Sequence, residues 1–469
     1  MALKAGLSFC CLLLLAFSSI ASSQSTVEYL PGFDGKLPFT LETGYIGIGD
    51  NDDVQLYYYF VESERDPATD PLILWLTGGP GCSGFSAFVY EIGPLVFDVE
   101  SWTGQLPSLK VNKYSWTKVA NIIFIDQPVG TGFSYARTAT GYNTSDTEAA
   151  AQVYSFLRKW LMDHTKFQTN PLYIGGDSYS GIIVPLVVQN ILNGIVEGLE
   201  PPMGLQGYLL GNPVTDDFID NNARIPYVHR VNLISEEYYQ NAKQYCNGDY
   251  VNIDFNNSLC VSALLAIKNC LLQINLAQIL EPQCAFSSPR RKEIEWDPRV
   301  EEAENIDFMS RNKLPKLTCR SFSYVLSYKY MNDKGVQKAL NVRPGTMNVS
   351  WMRCQKSLPF YTENITSTVT YHERFTKTGL RALIYSGDHD ISVPYIATLQ
   401  WLNSIGLPIF DPWRPWYVDG QVAGYTQWYM NSHFTLKYAT LKGAGHTAPE
   451  YKRKEALNLV NRFFGYYPI

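Results

Sequence analysis

Three short stretches carry reactive side chains in the chain order serine, aspartate, histidine. They are Gly175-Gly176-Asp177-Ser178-Tyr179-Ser180-Gly181, Tyr385-Ser386-Gly387-Asp388-His389-Asp390 and Lys442-Gly443-Ala444-Gly445-His446. A serine hydroxyl is a weak nucleophile until an imidazole takes its proton, and the imidazole needs a carboxylate to hold its tautomer. The pattern points to nucleophilic acyl transfer, with Ser178 as nucleophile and His446 as base. The acid is open between Asp388 and Asp390, two residues apart on one loop. Of the other histidines, His389 comes too early for the chain order and His433 lacks a glycine-rich frame. Acyl transfer also requires donors for a developing oxyanion. The backbone N–H of Tyr179 offers one, and Gly79 in Thr77-Gly78-Gly79-Pro80-Gly81-Cys82 offers a second.

Such residues must be held at the ends of rigid elements. Leu72–Leu76 precedes the glycine loop, Asn121–Ile125 precedes Asp126-Gln127-Pro128-Val129-Gly130, Pro171–Ile174 precedes the serine motif, and Leu383–Tyr385 precedes the acids. Short continuous apolar runs of this kind suit a parallel sheet buried on both faces. Ala149, Val153, Phe156, Leu157, Trp160 and Leu161 make one helical stripe, with Ser145 as N-cap. Ala456, Leu457, Val460, Phe463 and Phe464 make another near the end. The expectation is an α/β chain of the α/β-hydrolase fold, with a doubly wound, mostly parallel central sheet. The stretch from about 216 to 350 breaks the rhythm and reads as an inserted cap. Its charged run from Arg290 to Glu302 reads as an exposed loop, about 286–312, open to excision by proteases.

Residues 1–23 read as a secretory signal: Lys4, an apolar stretch from Ala5 to Ile20, and small residues for cleavage. Residues 24–469 would form the hydrolase domain. Sequons at Asn143, Asn256, Asn348 and Asn364 are glycan acceptors if exposed. Of nine cysteines, Cys10 and Cys11 fall in the leader; the remainder is odd, so one thiol should be left over after pairing. No CxxC spacing suggests zinc, and no metal or cofactor is expected. With 46% hydrophobic residues and a net charge of −6, the chain should build a sizeable core. That charge gives no reason to expect nucleic acid or an anionic membrane as partner.

Taken together, these motifs resemble the serine carboxypeptidases, and more narrowly the plant serine carboxypeptidase-like proteins. The likeness runs through Trp75–Gly84, Glu91-Ile92-Gly93-Pro94, Asp126–Tyr135, the Ser178 turn, Gly387–Asp390 and Gly443–His446. The resemblance selects Asp390 as the acid. It implies disulfides Cys82–Cys354, Cys246–Cys260 and Cys284–Cys319, with Cys270 unpaired. It also implies a vacuolar or extracellular protein, as a monomer or as two disulfide-linked chains after loop excision. Family carboxypeptidases grip a peptide's terminal carboxylate with an asparagine, two glutamates and a tryptophan. Here Trp75 and Glu91 are kept, but Thr77 and Asp177 stand at the other two positions. That departure looks like the family's acyltransferase branch, which moves an acyl group from a 1-O-acyl-β-glucose ester to an alcohol acceptor. The alternatives are a carboxypeptidase acting on a peptide C-terminus, and a non-catalytic binding protein on the same fold.

Overall fold

The apolar runs become the centre of one mixed sheet. The computed structural model describes residues 24–283, 320–346, 350–355, 358 and 360–469. Its main strands are β1 (Gln24–Val27), β2 (Leu41–Ile48), β3 (Val54–Val61), β4 (Leu72–Leu76), β5 (Asn121–Ile125) and β6 (Leu172–Asp177). They continue with β7 (Leu205–Gly211), β8 (Arg381–Gly387), β9 (Ile409–Val418), β10 (Gln421–Met430) and β11 (Thr435–Leu441). The order across the sheet is β1-β2-β3-β5-β4-β6-β7-β8-β11-β10-β9. From β5 to β11 every neighbouring pair is parallel, while β1–β3 and β9–β10 flank this centre as antiparallel ribbons.

Helices cover both faces, because alternate residues of each central strand point to opposite sides. On one face Ile123, Ile174 and Leu210 pack against α1 (Asp146–Asp163) and α2 (Ser180–Val196) through Phe156, Trp160 and Val187. Ser145 caps α1 by accepting a bond from the Glu148 N–H at 3.3 Å. On the other face Ile73, Phe124 and Leu383 meet Leu459, Val460 and Phe463 of a C-terminal helix, Arg453–Phe464. This is the α/β-hydrolase architecture, wound on both sides of a mostly parallel sheet.

Between β7 and β8 the chain leaves the sheet. Helices α3 (Asp217–Asn222), α4 (Arg224–Arg230), α5 (Glu236–Tyr245) and α6 (Ser258–Leu271) form a separate layer with its own small core. That core, built on Tyr227, Val228, Ala242 and Ile267, also takes in Ile391 beside the acid loop. The expected insertion of 216–350 therefore divides. Residues 217–283 are the layer over the sheet's carboxyl end, whereas α7 (Tyr324–Met331) and α8 (Lys334–Ala339) bury Leu326, Tyr330 and Val336 in the main core. Leu340 is also tied down, its carbonyl accepting the Thr43 hydroxyl at 2.8 Å. Large apolar side chains at a helical spacing are what pull this second half inward. The leader, the 286–312 loop, Cys284, Cys319 and Asn348 lie outside the described residues.

Candidate active site

Each reactive residue follows the carboxyl end of a central strand. Strand β6 ends at Asp177, and Ser178 then adopts φ 55°, a left-handed conformation costing a non-glycine residue about 1–2 kcal/mol. Three bonds hold it there: its N–H donates to the Gly211 carbonyl at 2.9 Å, and its carbonyl accepts from Gly181 and Val214 at 3.0 and 2.9 Å. The turn tolerates no bulk alongside. A Cβ on Gly78 would lie 2.6 Å from Ser178 Cβ and 2.8 Å from the Tyr179 nitrogen, so the glycine loop rests directly on the elbow. The Cys82–Cys354 disulfide and the bonds Ser83 N–H to Arg353 and Gln355 N–H to Gly81 carbonyl pin that loop from behind. Gly79 and Tyr179 thus sit on the two segments that meet at the serine.

His446 closes the arrangement. Its Nε2 is 2.7 Å from Ser178 Oγ and its Nδ1 is 2.7 Å from Asp390 Oδ2. Asp390 is fully buried, while the His446 side chain is 19% exposed, so the reacting atoms open toward solvent and the acid does not. Asp390 also accepts from Asn212 Nδ2 at 2.9 Å and from the N–H groups of Ser392 and Val393 at 2.7 and 3.3 Å. Asp388 points elsewhere, accepting the Gly443 N–H at 2.7 Å and bracing the turn that carries His446. The ambiguity of the two acids is resolved geometrically. His389 lies 3.9 Å from Asp388, and His433 precedes β11 at the end of the sheet opposite His446.

Beside the nucleophile lies a buried carboxyl pair. Burial, then the Asp177 and Glu450 carboxylates, push Glu91 well above its ordinary range. Burial also raises Asp177, opposed by His446, by the Gly78 N–H at 3.2 Å and by a bond from Glu91. Glu91 is thus the protonated partner and donates to Asp177. Around this pair, Trp75 Nε1, Thr77 Oγ1 and Glu91 Oε2 are buried without a partner among the described residues. Buried polar atoms are rarely left so, and these are suited to meet a substrate or water.

Sequence reasoning missed three contributors. Asn212, at φ 40°, bonds Asp390 and accepts the Gly387 N–H at 3.0 Å, bridging β7 to the acid loop. Its only local signal is the Asn-Pro turn after a strand. Glu450 is buried near Glu91 and accepts from Thr447 and Tyr324, each at 2.9 Å. The third is the cap segment Leu276–Ile279. Ala277 carbonyl accepts the His446 N–H at 2.8 Å, Leu276 carbonyl accepts Ile391 and Ser392, Ile279 N–H donates to His389, and the Gln278 amide donates to Gly443. Cys246–Cys260 is the second disulfide among the described residues, joining the cap helices, and the exposed Cys270 has no disulfide partner among them. Asn143, Asn256 and Asn364 are exposed.

A serine turn, a buried acid and a histidine at successive strand ends match what comparison finds. The serine carboxypeptidase family model matches residues 31–465. The chain belongs to the serine carboxypeptidase family. It is 44% identical to serine carboxypeptidase-like 7 of Arabidopsis thaliana, over 97% of both chains. It is 43% identical to serine carboxypeptidase-like 13 of the same plant, over 98% of both. A prohormone-processing carboxypeptidase from Saccharomyces cerevisiae shares the fold, with a TM-score of 0.72 and 18% identity over 94% of this chain and 95% of that one. Among the described residues of this serine carboxypeptidase-like protein, no helix is long and apolar enough to cross a membrane.

Proposed function

We propose that this serine carboxypeptidase-like protein is an acyltransferase, taking an acyl group from a 1-O-acyl-β-glucose ester and passing it to an alcohol. Ser178 Oγ attacks the ester carbonyl as its proton passes to His446 Nε2. The N–H groups of Gly79 and Tyr179 receive the oxyanion, and His446 returns the proton to the departing glucose oxygen. The acceptor hydroxyl then loses its proton to His446 and attacks the acyl-enzyme, after which the proton returns to Ser178. Asp390, fixed by Asn212, keeps Nε2 of His446 free to accept.

One observation carries the reading. Both altered clamp positions are poor receptors for a peptide carboxylate: Thr77 supplies one hydroxyl, and Asp177 is already engaged by Gly78 and Glu91. A site that loses hydrogen-bonding groups discriminates strongly against the ligand that needs them. The retained Trp75 and the acid form of Glu91 favour a second reading, a carboxypeptidase working where a protonated Glu91 can grip a carboxylate. A secreted or vacuolar location with glycans on Asn143, Asn256 and Asn364 fits either.

The test supplies 1-O-acyl-β-glucose donors with alcohol acceptors in one arm and a blocked dipeptide with a free C-terminus in the other. New ester with negligible dipeptide cleavage is expected. Efficient release of the C-terminal residue without ester formation would make the second reading correct.

A further inference from the structure

Two buried cations share a cavity at the far end of the sheet. Arg381 is the first residue of β8 and Lys437 lies near the start of β11, whereas the acid and histidine loops leave the opposite ends of those strands. Arg381 is 8% exposed and Lys437 is 3% exposed. Among the described residues neither is paired with a carboxylate. Arg381 donates to the Tyr173 hydroxyl at 3.3 Å and to the Phe463 carbonyl, with the Tyr466 ring 3.7 Å from the guanidinium carbon. Lys437 donates to the Tyr467 carbonyl at 2.9 Å and lies 4.0 Å from the centre of the Trp428 ring. Carbonyls and ring faces satisfy hydrogens but do not neutralise charge, and an uncompensated buried charge is costly.

The cavity between them measures about 340 Å³, and Gln206, Trp428, His433 and Thr435 complete the part of its wall that matters here. Among the described residues no aspartate or glutamate lines it. Trp428 Nε1 is a buried donor without a partner among the described residues. The nearby Arg414 adds positive potential, although Asp411 and the Ile469 main-chain oxygen, each at 2.7 Å, engage it. Burial, then Arg381 and Arg414, push the Lys437 ammonium down to about 8, as expected where the local charge is unbalanced.

We propose that this cavity binds a small multivalent oxyanion, bearing phosphate or carboxylate groups, which supplies the missing counter-charge. A guanidinium fork, an ammonium and an indole N–H form a donor set suited to oxyanion oxygens. Such a ligand would tie the C-terminal helix and the tail after it to β8 and β11. Its effect should be on stability, because the site is remote from Ser178.

The experiment follows thermal unfolding of the full protein in chloride, inorganic phosphate and citrate at one pH and equal ionic strength. Phosphate, citrate or both should raise the unfolding temperature by a few degrees over chloride, since a ligand that binds the native state stabilises it. The two arms distinguish a phosphate from a polycarboxylate. Lys437→Met should abolish the shift. Trp428→Phe, which keeps the ring beneath the ammonium and removes the N–H, should reduce it. The same unfolding temperature in all three salts, or an undiminished shift in both variants, would overturn the proposal.

Discussion

Asp388 and Asp390 sit two residues apart on one loop and do different work. Asp390 holds the histidine and is itself held by Asn212, whereas Asp388 bonds a backbone N–H of the histidine turn. Asp390→Asn is therefore expected to lower kcat by about 10³–10⁴, since it disturbs the imidazole tautomer. Asp388→Asn weakens one tether and should cost roughly tenfold or less. Steady-state kinetics on the two variants separates these roles, and equal losses would contradict them. Asn212→Ala is expected to reduce kcat with little change in KM, because Asn212 acts through Asp390. Ser178 and His446 were legible in the sequence because strained, crowded turns demand glycine neighbours. Asn212 was not, because its role depends on a strand neighbour that no local pattern reveals.

Most of the parallel strands were readable as apolar runs, but β7 (Leu205–Gly211) and the flanking ribbons were not. β9 carries Pro412 and Pro415, which argue against a strand, yet an edge strand can tolerate missing N–H donors. The cap segment was equally invisible, since Leu276–Ile279 acts almost wholly through backbone groups. Its contacts imply that the cap positions the histidine. A Cβ on Gly445 would lie 2.2 Å from the Ala277 carbonyl oxygen, so Gly445→Ala must push the segment off the histidine loop. Gln278→Ala removes the 3.1 Å bond to Gly443 and the 3.2 Å bond that the side-chain oxygen accepts from the Leu280 N–H. Both should lower kcat more than they raise KM, Gly445→Ala the more severely. Unaltered kcat in both variants would show that the cap has no hold on His446.

Buried carboxyls give the whole molecule a pH-dependent stability. Burial pushes Asp220 up to about 7, against the Thr215 and Asp216 N–H bonds that favour its charge, and Asp126 moves the same way. A carboxyl raised in the folded state contributes stability that is fully present below its unfolded value, about 4, and is lost as pH rises through 7. Asp220→Asn preserves the neutral shape: one oxygen can still accept both N–H bonds, and the amide nitrogen replaces an oxygen that has no partner among the described residues. Unfolding temperatures of the two proteins should lie closest below about pH 4 and separate in the variant's favour above pH 7. The difference cancels the opposite drift from buried His372, whose pKa burial lowers to about 3. A constant gap across the range would refute the assignment.

The reaction itself is read most directly by intact-mass spectrometry of the protein mixed with a 1-O-acyl-β-glucose donor and no acceptor. The expected result is a mass increase of one acyl group, located on the Ser178 peptide and absent from Ser178→Ala. An alcohol acceptor should discharge that adduct faster than water does. No adduct on Ser178, or one whose decay alcohols leave unchanged while a blocked dipeptide is cleaved, would contradict an acyltransferase.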